Sequence, residues 1–145
     1  MIKQVNNSFP TISIVTCTFN SEKYLENALL SVEKQSYPFI EHIINDSFST
    51  DSTGEILKNY INRNNNRYPI KVIHTKPQGV ANALNLATES ATGEIIHYLH
   101  SDDYYESALT LERVASHFKN NPDIVWLTGN FLIEYKGRLV SCQVV

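Results

Sequence analysis

Short apolar segments alternate with amphipathic segments along most of the chain. Apolar runs rich in β-branched residues predict buried strands at 11–16, 40–46, 70–75 and 92–100, with a fifth strand at 123–129. Between these strands, apolar residues recur at helical spacing and predict four helices. The positions predicted to face the core are Tyr24, Leu25, Ala28, Leu29 and Val32, then Ile56, Leu57, Tyr60 and Ile61, then Val80, Ala83, Leu84 and Ala87, and finally Leu111, Val114, Ala115 and Phe118.

This alternation predicts an α/β fold. Strands that alternate with helices of about ten to fifteen residues form βαβ units, whose strands are mostly parallel and are covered by helices on both faces. We therefore expect a three-layer α/β/α sandwich that forms a single domain over residues 1–145. Ser21 is the expected N-cap of the first helix, and a hairpin is expected around "EYKGRL".

Ligands of such sheets bind beyond the carboxyl ends of the strands. Apart from Phe19, those ends carry mainly small or polar residues: 17–20 after the first strand, Asp46 at the end of the second, 76–79 after the third and 101–103 after the fourth. Because parallel strands end at the same edge of a sheet, these residues are predicted to converge on one rim.

Two adjacent carboxylates, Asp102 and Asp103, follow the fourth strand. A divalent cation such as Mg²⁺ or Mn²⁺ would relieve their repulsion, and Mg²⁺ is commonly held by one or two carboxylates together with substrate phosphates. The alternative is that both acids cap the helix that follows, where the helix dipole favours negative charge. The spacing alone leaves both interpretations open.

An acid at the end of the second strand commonly binds the nucleoside part of a nucleotide. Asp46 occupies that place, although it could instead cap a turn in "NDSFSTDST". Asp51, followed by Glu55, is the better capping residue and would leave Asp46 for a ligand. The turn after the first strand, "TCTFNSE", has neither GxGxxG nor GK[ST], which argues against a dinucleotide oxidoreductase or a P-loop enzyme.

Composition narrows the choice of partner and compartment. The net charge is −3 and the basic residues are scattered, which argues against a nucleic-acid partner. Cys17 and Cys142 do not have the spacing of a zinc site or a disulfide framework. No apolar run reaches the ~20 residues of a transmembrane span, and the first residues lack the apolar core of a signal peptide. We expect a protein of the cytoplasm, either free or at the inner face of the membrane.

Six short segments occur in a fixed order: "CTFN", "SVEKQSY", "NDSFSTDST", "GVANALN", "ATGEII" and "HSDD". In this order, over about residues 11–118, they resemble the motifs of the family 2 inverting glycosyltransferases of the GT-A fold. The resemblance implies the nucleotide-sugar-binding part of an enzyme that moves a sugar from a nucleotide-diphosphate donor, commonly a UDP-sugar, to a hydroxyl of a saccharide or lipid-linked acceptor. It also implies inversion at the anomeric carbon, assistance by Mg²⁺ or Mn²⁺, and a role in polysaccharide biosynthesis.

The resemblance further implies roles for particular residues. Thr18 and Phe19 would line the base pocket, and Asp46 would contact the edge of the nucleobase. Asp102 would bind the metal that bridges the diphosphate, with Asp103 and His100 as further metal-ligand candidates. The complete predicted nucleotide-sugar site is Cys17, Thr18, Phe19, Asp46, Gly79, Asn82, Ser101 and Asp102.

The chain departs from the family pattern in three places. His100 stands at the first Asp of D-x-D, Ser47 and Phe48 replace the usual Gly–Ser, and Leu84 replaces a common Arg. In this family the catalytic base lies in the acceptor-binding half, so we expect the base beyond Val145 and the acceptor half to be missing or truncated. The alternative function is a non-catalytic module that binds a nucleotide sugar or a partner.

The last part of the chain predicts self-association. Without an acceptor half, apolar side chains within 124–145, such as Trp126 and Leu127, would be exposed, and "LVSCQVV" would form an unpaired, β-prone edge. We expect a homo-oligomer formed through these C-terminal strands. The alternative is a monomer whose tail folds back on the sheet, with Lys136 and Arg138 protecting the edge.

Overall fold

The computed structural model describes residues 9–129, 131–135 and 138–142. Strands and helices alternate up to the last helix, as the hydrophobic pattern predicts. No helix in these ranges is both long and apolar enough to cross a membrane. The elements are strands β1 (Ile12–Thr18), β2 (Ile40–Asp46), β3 (Ile70–His74), β4 (Ile95–Tyr98), β5 (Phe131–Tyr135) and β6 (Arg138–Cys142), and helices α1 (Leu25–Glu33), α2 (Thr53–Asn64), α3 (Val80–Thr88) and α4 (Thr110–Asn120).

A four-stranded parallel sheet, in the order β3–β2–β1–β4, forms the centre of the fold. β1 pairs with β2 from Ile12 opposite Ile40 to Thr18 opposite Asp46. The register between β2 and β3 then places Asp46 opposite His74. The carboxyl ends of β1, β2 and β3 therefore lie side by side at one edge of the sheet.

Helices cover both faces of this sheet, because successive residues of each strand point to opposite sides. On one face a large cluster joins β1 to α1, α2 and α4. On the other face α3 packs Ala87 against Val15 and Ile43. This arrangement confirms the predicted three-layer α/β/α sandwich. Buried members of the large cluster include Ile12, Ile14, Leu29, Leu57, Tyr60 and Leu111.

At the edge of the sheet formed by the amino ends of the strands, the amino edge, several hydrogen bonds converge on the carboxylate of Glu41. Its Oε1 accepts hydrogen bonds from Ser13 Oγ at 2.6 Å and from the N–H groups of Thr92 at 2.5 Å and Gly93 at 3.1 Å. Burial raises the pKa of Glu41, but these hydrogen bonds outweigh it and hold the pKa below its usual value. A Cβ on Gly93 would lie 2.6 Å from Ser13 Oγ and 2.8 Å from the carbonyl oxygen of Thr11, so only glycine fits.

A chain of buried hydrogen bonds crosses the large core. His42 Nε2 lies 2.9 Å from Thr16 Oγ1, and His42 Nδ1 lies 2.7 Å from the hydroxyl of Tyr60. The Tyr60 hydroxyl is in turn 2.9 Å from that of Tyr68. Burial lowers the pKa of His42 to about 3. The neutral imidazole, with one donor and one acceptor nitrogen, can satisfy both neighbours.

The predicted fifth strand at 123–129 is wrong. This segment is irregular, and its Val125 and Trp126 are 94% and 76% exposed. An extended segment becomes a stable strand when a neighbour accepts its backbone hydrogen bonds and a core buries its side chains. In the described sheet β4 pairs only with β1, so the described residues provide neither condition for this segment.

The predicted hairpin is confirmed. β5 and β6 pair in antiparallel fashion, with Tyr135 opposite Arg138. β6 covers the start of "LVSCQVV" and pairs on one side with β5, and the described sheet gives it no second neighbour. The rest of the predicted edge, residues 143–145, lies outside the described residues. Leu132 and Ile133 are exposed, as is Trp126 upstream. The homo-oligomer stays a prediction, with these apolar side chains as its contact surface.

Ser21 does not cap the first helix as predicted. α1 begins at Leu25, and its N-cap Tyr24 makes no side-chain capping bond. The carbonyl oxygen of Ser21 instead accepts hydrogen bonds from the N–H groups of Tyr24 and Leu25, which form a turn leading into the helix. The Ser21 hydroxyl is engaged elsewhere, 3.1 Å from that of Ser101.

The close approach at the amino edge predicts a strong effect of Gly93→Ala. The added methyl group would overlap Ser13 and the Thr11 carbonyl, so we expect the free energy of unfolding to fall by about 1–3 kcal/mol. Gly54, where a Cβ meets no atom within 4 Å, provides the control. Gly54→Ala lies within α2 and should be neutral or stabilising by up to about 1 kcal/mol. Urea unfolding of both variants measures the difference, and equal stabilities would contradict the packing described.

The pKa of His42 predicts a loss of stability in acid. Below the ordinary pKa of 6.5 the unfolded chain binds a proton at this histidine, whereas the folded chain does not until the pH nears 3. Within that window the free energy of unfolding should fall by up to about 1.4 kcal/mol per pH unit. Urea unfolding between pH 7 and 4 measures the slope, and comparison with His42→Gln separates this histidine from other titrating groups. A slope unchanged in the variant would be incompatible with a neutral His42 in the fold.

Candidate functional site

A cleft of about 240 Å³ opens at the carboxyl ends of β1 and β2, beside the start of α3. Four predicted site residues line it, namely Cys17, Thr18, Phe19 and Gly79. Much of the surface that it offers to a ligand is apolar or aromatic. It lies where parallel α/β sheets bind ligands. The other lining residues are Ser47, Pro77, Val80 and Ala83.

One end of the cleft is the N-terminus of α3. Gly79 is its N-cap and has a φ of 92°, a left-handed conformation that favours glycine. The first N–H groups of a helix have no partner within it and carry partial positive charge, and the first turn of α3 contains no acidic residue. This end therefore suits an anionic group. Asn82 lies in the same turn but outside the lining, and its amide donates to Gln78 Oε1 at 3.3 Å.

Thr18 and Cys17 present uncharged groups to the cleft. The Thr18 side chain is buried, and its hydroxyl oxygen has no hydrogen-bond partner among the described residues. Burial raises the pKa of the Cys17 thiol to about 11. The thiol therefore stays protonated at neutral pH, where it is a poor nucleophile and a poor metal ligand.

Asp46 lies at the end of β2 with only 4% of its surface exposed. Its Oδ1 accepts a hydrogen bond from Ser49 Oγ at 2.5 Å, and the Ser49 N–H lies within 3.3 Å of both carboxylate oxygens. His74 Nδ1 is 3.3 Å from Oδ2. A buried carboxylate requires such donors, because losing water without them is costly. Asp46 thus anchors its own loop and does not line the cleft, and its contact with a nucleobase stays a prediction.

Reciprocal hydrogen bonds join the loops that follow β1 and β2. The N–H of Asn20 donates to Ser49 Oγ at 2.9 Å, and the N–H of Thr50 donates back to Asn20 Oδ1 at 2.8 Å. Asp51 Oδ1 accepts from the N–H of Thr53 at 3.0 Å, but the N-cap of α2 is Ser52, so the expectation that Asp51 caps this helix is wrong. These bonds fix the two loops relative to each other at the mouth of the cleft.

The loop after β4 contacts the loop after β1. Ser101 Oγ lies 3.1 Å from Ser21 Oγ in the loop after β1. The next two residues, Asp102 and Asp103, are exposed in a turn in which the Asp103 N–H donates to the carbonyl oxygen of His100 at 3.1 Å. Because α4 begins well after this turn, the alternative that these acids cap the helix is wrong.

Asp102 and Asp103 would supply only part of the coordination of a metal ion, with the remaining positions filled by water and a bound phosphate group. Among the described residues, no three His, Cys, Asp or Glu side chains come close enough together to hold a metal ion. Two exposed carboxylates nevertheless supply hard oxygen ligands and leave the other positions to water and phosphate oxygens, as Mg²⁺ sites commonly do. His100 is exposed in the same turn but is a softer ligand, which Mg²⁺ does not favour.

Sequence reasoning did not identify Ser49, His74 and Phe48 as parts of this region. Ser49 and His74 both contact Asp46, and the Phe48 ring stacks on that of His74 with 5.8 Å between centroids and 29° between planes. The position of His74 at a strand end beside Asp46 was a usable signal. Phe48 has a φ of 56°, a left-handed conformation that costs a bulky residue about 1–2 kcal/mol and has no sequence signal in phenylalanine.

Comparison with known proteins connects this site to a family. The family model for glycosyl transferase family 2 matches residues 13–137. A protein of Haemophilus influenzae described as an uncharacterized glycosyltransferase is 40% identical over 125 residues, which are 86% of this chain and 48% of that protein. The chain thus spans about half the length of this relative.

Solved structures show the same fold. S. aureus TarS 1–349 in complex with UDP aligns with a TM-score of 0.70 and 32% identity, over 77% of this chain and 33% of that one. Mannosyltransferase PcManGT from Pyrobaculum calidifontis, in complex with GDP-Man and Mn²⁺, aligns with a TM-score of 0.67 and 28% identity, over 72% of this chain and 31% of that one. The sandwich is therefore a GT-A fold, and the chain belongs to glycosyl transferase family 2.

Proposed function

We propose that this chain binds a nucleotide-diphosphate sugar, with UDP as the nucleotide, and serves the transfer of the sugar to a hydroxyl acceptor. The observation that carries the proposal is the cleft at the carboxyl ends of β1 and β2, where Cys17, Thr18, Phe19 and Gly79 meet. Family membership and the UDP complex of TarS support the choice of ligand.

The cleft suits the two chemical parts of such a donor. Phe19 is 53% exposed and offers an aromatic surface to the nucleobase, and Thr18 lies in the same lining. The N-terminus of α3, at Gly79, offers N–H groups and partial positive charge to the anionic diphosphate. In this proposal Asp46 contacts the edge of the base and Asn82 faces the nucleotide.

Asp102 is the proposed metal ligand, with Asp103 and His100 in the same turn as further candidates. A bound Mg²⁺ or Mn²⁺ supplies positive charge that stabilises the departing diphosphate. Ser101 keeps the Asp102 turn next to the loop after β1 through its hydroxyl contact with Ser21. The Mn²⁺ in the mannosyltransferase complex supports this assignment.

The proposed reaction is a single in-line displacement. The acceptor hydroxyl oxygen forms a bond to the anomeric carbon of the sugar as the bond from that carbon to the diphosphate oxygen breaks, and the hydroxyl proton passes to a base. The base and the acceptor contacts are expected in a part of the protein beyond Val145. The proposed acceptor is a saccharide or a lipid-linked saccharide in polysaccharide biosynthesis, with the protein in the cytoplasm.

The metal assignment predicts a specific defect in Asp102→Asn. This change keeps the size of the side chain but removes its charge, so calorimetric affinity for UDP in the presence of Mn²⁺ should fall about tenfold or more, the scale of one lost charged contact in a site. Affinity for UDP in EDTA should be the same in both proteins. Asp123→Asn, an exposed carboxylate just after α4, is the matched control and should bind as the unchanged protein does.

Two outcomes would count against this assignment. If UDP affinity in Mn²⁺ is equal in Asp102→Asn and in the unchanged protein, the carboxylate does not hold the metal. If the unchanged protein binds neither UDP nor any other nucleoside diphosphate, the proposed donor site itself is wrong.

The proposed displacement also predicts the stereochemistry of the product. Because the nucleophile attacks opposite the leaving group, a donor with an α-linked diphosphate should give a β-linked product. The coupling between H1 and H2 in the proton NMR spectrum of a product of the whole enzyme distinguishes the two anomers for a gluco-configured sugar. A product with the configuration of the donor would rule out a single displacement.

A further inference from the structure

Phe48 combines exposure with an unusual backbone conformation. Four described residues other than glycine have positive φ, and three of them are asparagines, a residue type that tolerates this region. Phe48 is the fourth, with φ at 56° and more than half of its surface exposed. Core packing therefore does not account for a bulky aromatic residue at this position.

Specific contacts hold Phe48 in place. The N–H of the preceding Ser47 donates to the carbonyl oxygen of Thr18 at 3.0 Å, and the following Ser49 is bound to Asp46. The ring of Phe48 stacks on the imidazole of His74, which itself lies 3.3 Å from Asp46 Oδ2. These contacts hold the backbone on both sides of Phe48, while its exposed ring stacks on His74.

The Phe48 ring is not part of the cleft lining, but the residue before it is. Ser47, directly before Phe48 in the chain, lines the cleft together with Phe19. The loops after β1 and β2 therefore each bring an exposed aromatic ring to the same edge of the sheet. A left-handed, non-glycine residue that the surrounding contacts maintain is often part of a functional site, because the strain persists only where the structure enforces it.

We propose that Phe48, backed by His74, is a stacking surface for the nucleobase of the donor. This inference rests on the proposed function, since it assigns a further residue to the same nucleotide site. An aromatic ring stacks on the flat face of any base, so Phe48 would add affinity without selecting the base. Because His74 already holds the ring, little side-chain freedom is lost on binding.

The test compares binding of UDP and of inorganic pyrophosphate, both with Mn²⁺, by calorimetry. Phe48→Gly removes the ring and the strain, Phe48→Leu keeps an apolar side chain without an aromatic face, and Phe48→Tyr keeps the ring. We expect the Gly and Leu variants to bind UDP about tenfold more weakly, within the range found for base-stacking aromatic residues, and the Tyr variant to bind normally. Affinity for pyrophosphate, which has no base, should be the same in all variants.

The matched control is Phe39→Leu, at an exposed ring just before the amino end of β2, away from the cleft. Its affinity for UDP should not change. We also expect Phe48→Gly to melt at the same temperature as the unchanged protein or higher, because the left-handed conformation suits glycine. Weaker UDP binding by that variant would then not reflect unfolding.

Three results would overturn the inference. UDP affinity that is unchanged in both Phe48→Gly and Phe48→Leu would show that the ring does not touch the base. An equal loss of UDP and pyrophosphate affinity would place its effect at the phosphates. The third result concerns the unchanged protein: if it binds no nucleoside diphosphate more tightly than pyrophosphate, the proposed nucleotide site is wrong as well. The first two results would reject only the role of Phe48.

Discussion

The buried charge of Asp46 is the constraint on which the architecture of the site depends. A carboxylate with 4% exposure needs hydrogen-bond donors in place of water, and the chain supplies them from Ser49 and His74. Ser49 also accepts a hydrogen bond from Asn20, so one hydroxyl links the loops after β1 and β2. The conformation of the cleft mouth thus depends on the hydrogen bonds that this one buried carboxyl group requires.

The amino ends and the carboxyl ends of the parallel strands differ in what surrounds them. At the amino edge, Glu41 accepts several hydrogen bonds, and Gly93 approaches Thr11 and Ser13 too closely for a side chain. At the carboxyl edge, Phe19 is exposed in the lining of a cleft, and Asp102 is exposed in the turn after β4. The close approach at Gly93 and the hydrogen bonds to Glu41 therefore lie at the edge away from the exposed groups that a ligand would contact.

The sequence predicted the four strands of the central sheet, the four helices and the hairpin, because periodicity in hydrophobicity indicates which side of an element faces a core. Half of the residues that it assigned to the nucleotide site line the cleft, because strand ends in a parallel sheet meet at one edge. It failed for Trp126, because an apolar segment can stay exposed when no strand in the described sheet pairs with it. It also missed Phe48, whose backbone conformation depends on contacts with loops distant in sequence.

The position of β1 at the centre of the sheet has a consequence for how the site assembles. Its contacts with β2 span 28 residues, as between Ser13 and Glu41, whereas its loop meets that of β4 across 80 residues, between Ser21 and Ser101. A contact that closes a longer loop of chain costs little additional equilibrium stability, but it forms more slowly. Every residue that lines the cleft precedes β4 in the chain. We therefore expect the contact that brings the Asp102 turn beside the loop after β1 to form later in folding than the pairing of β1 with β2.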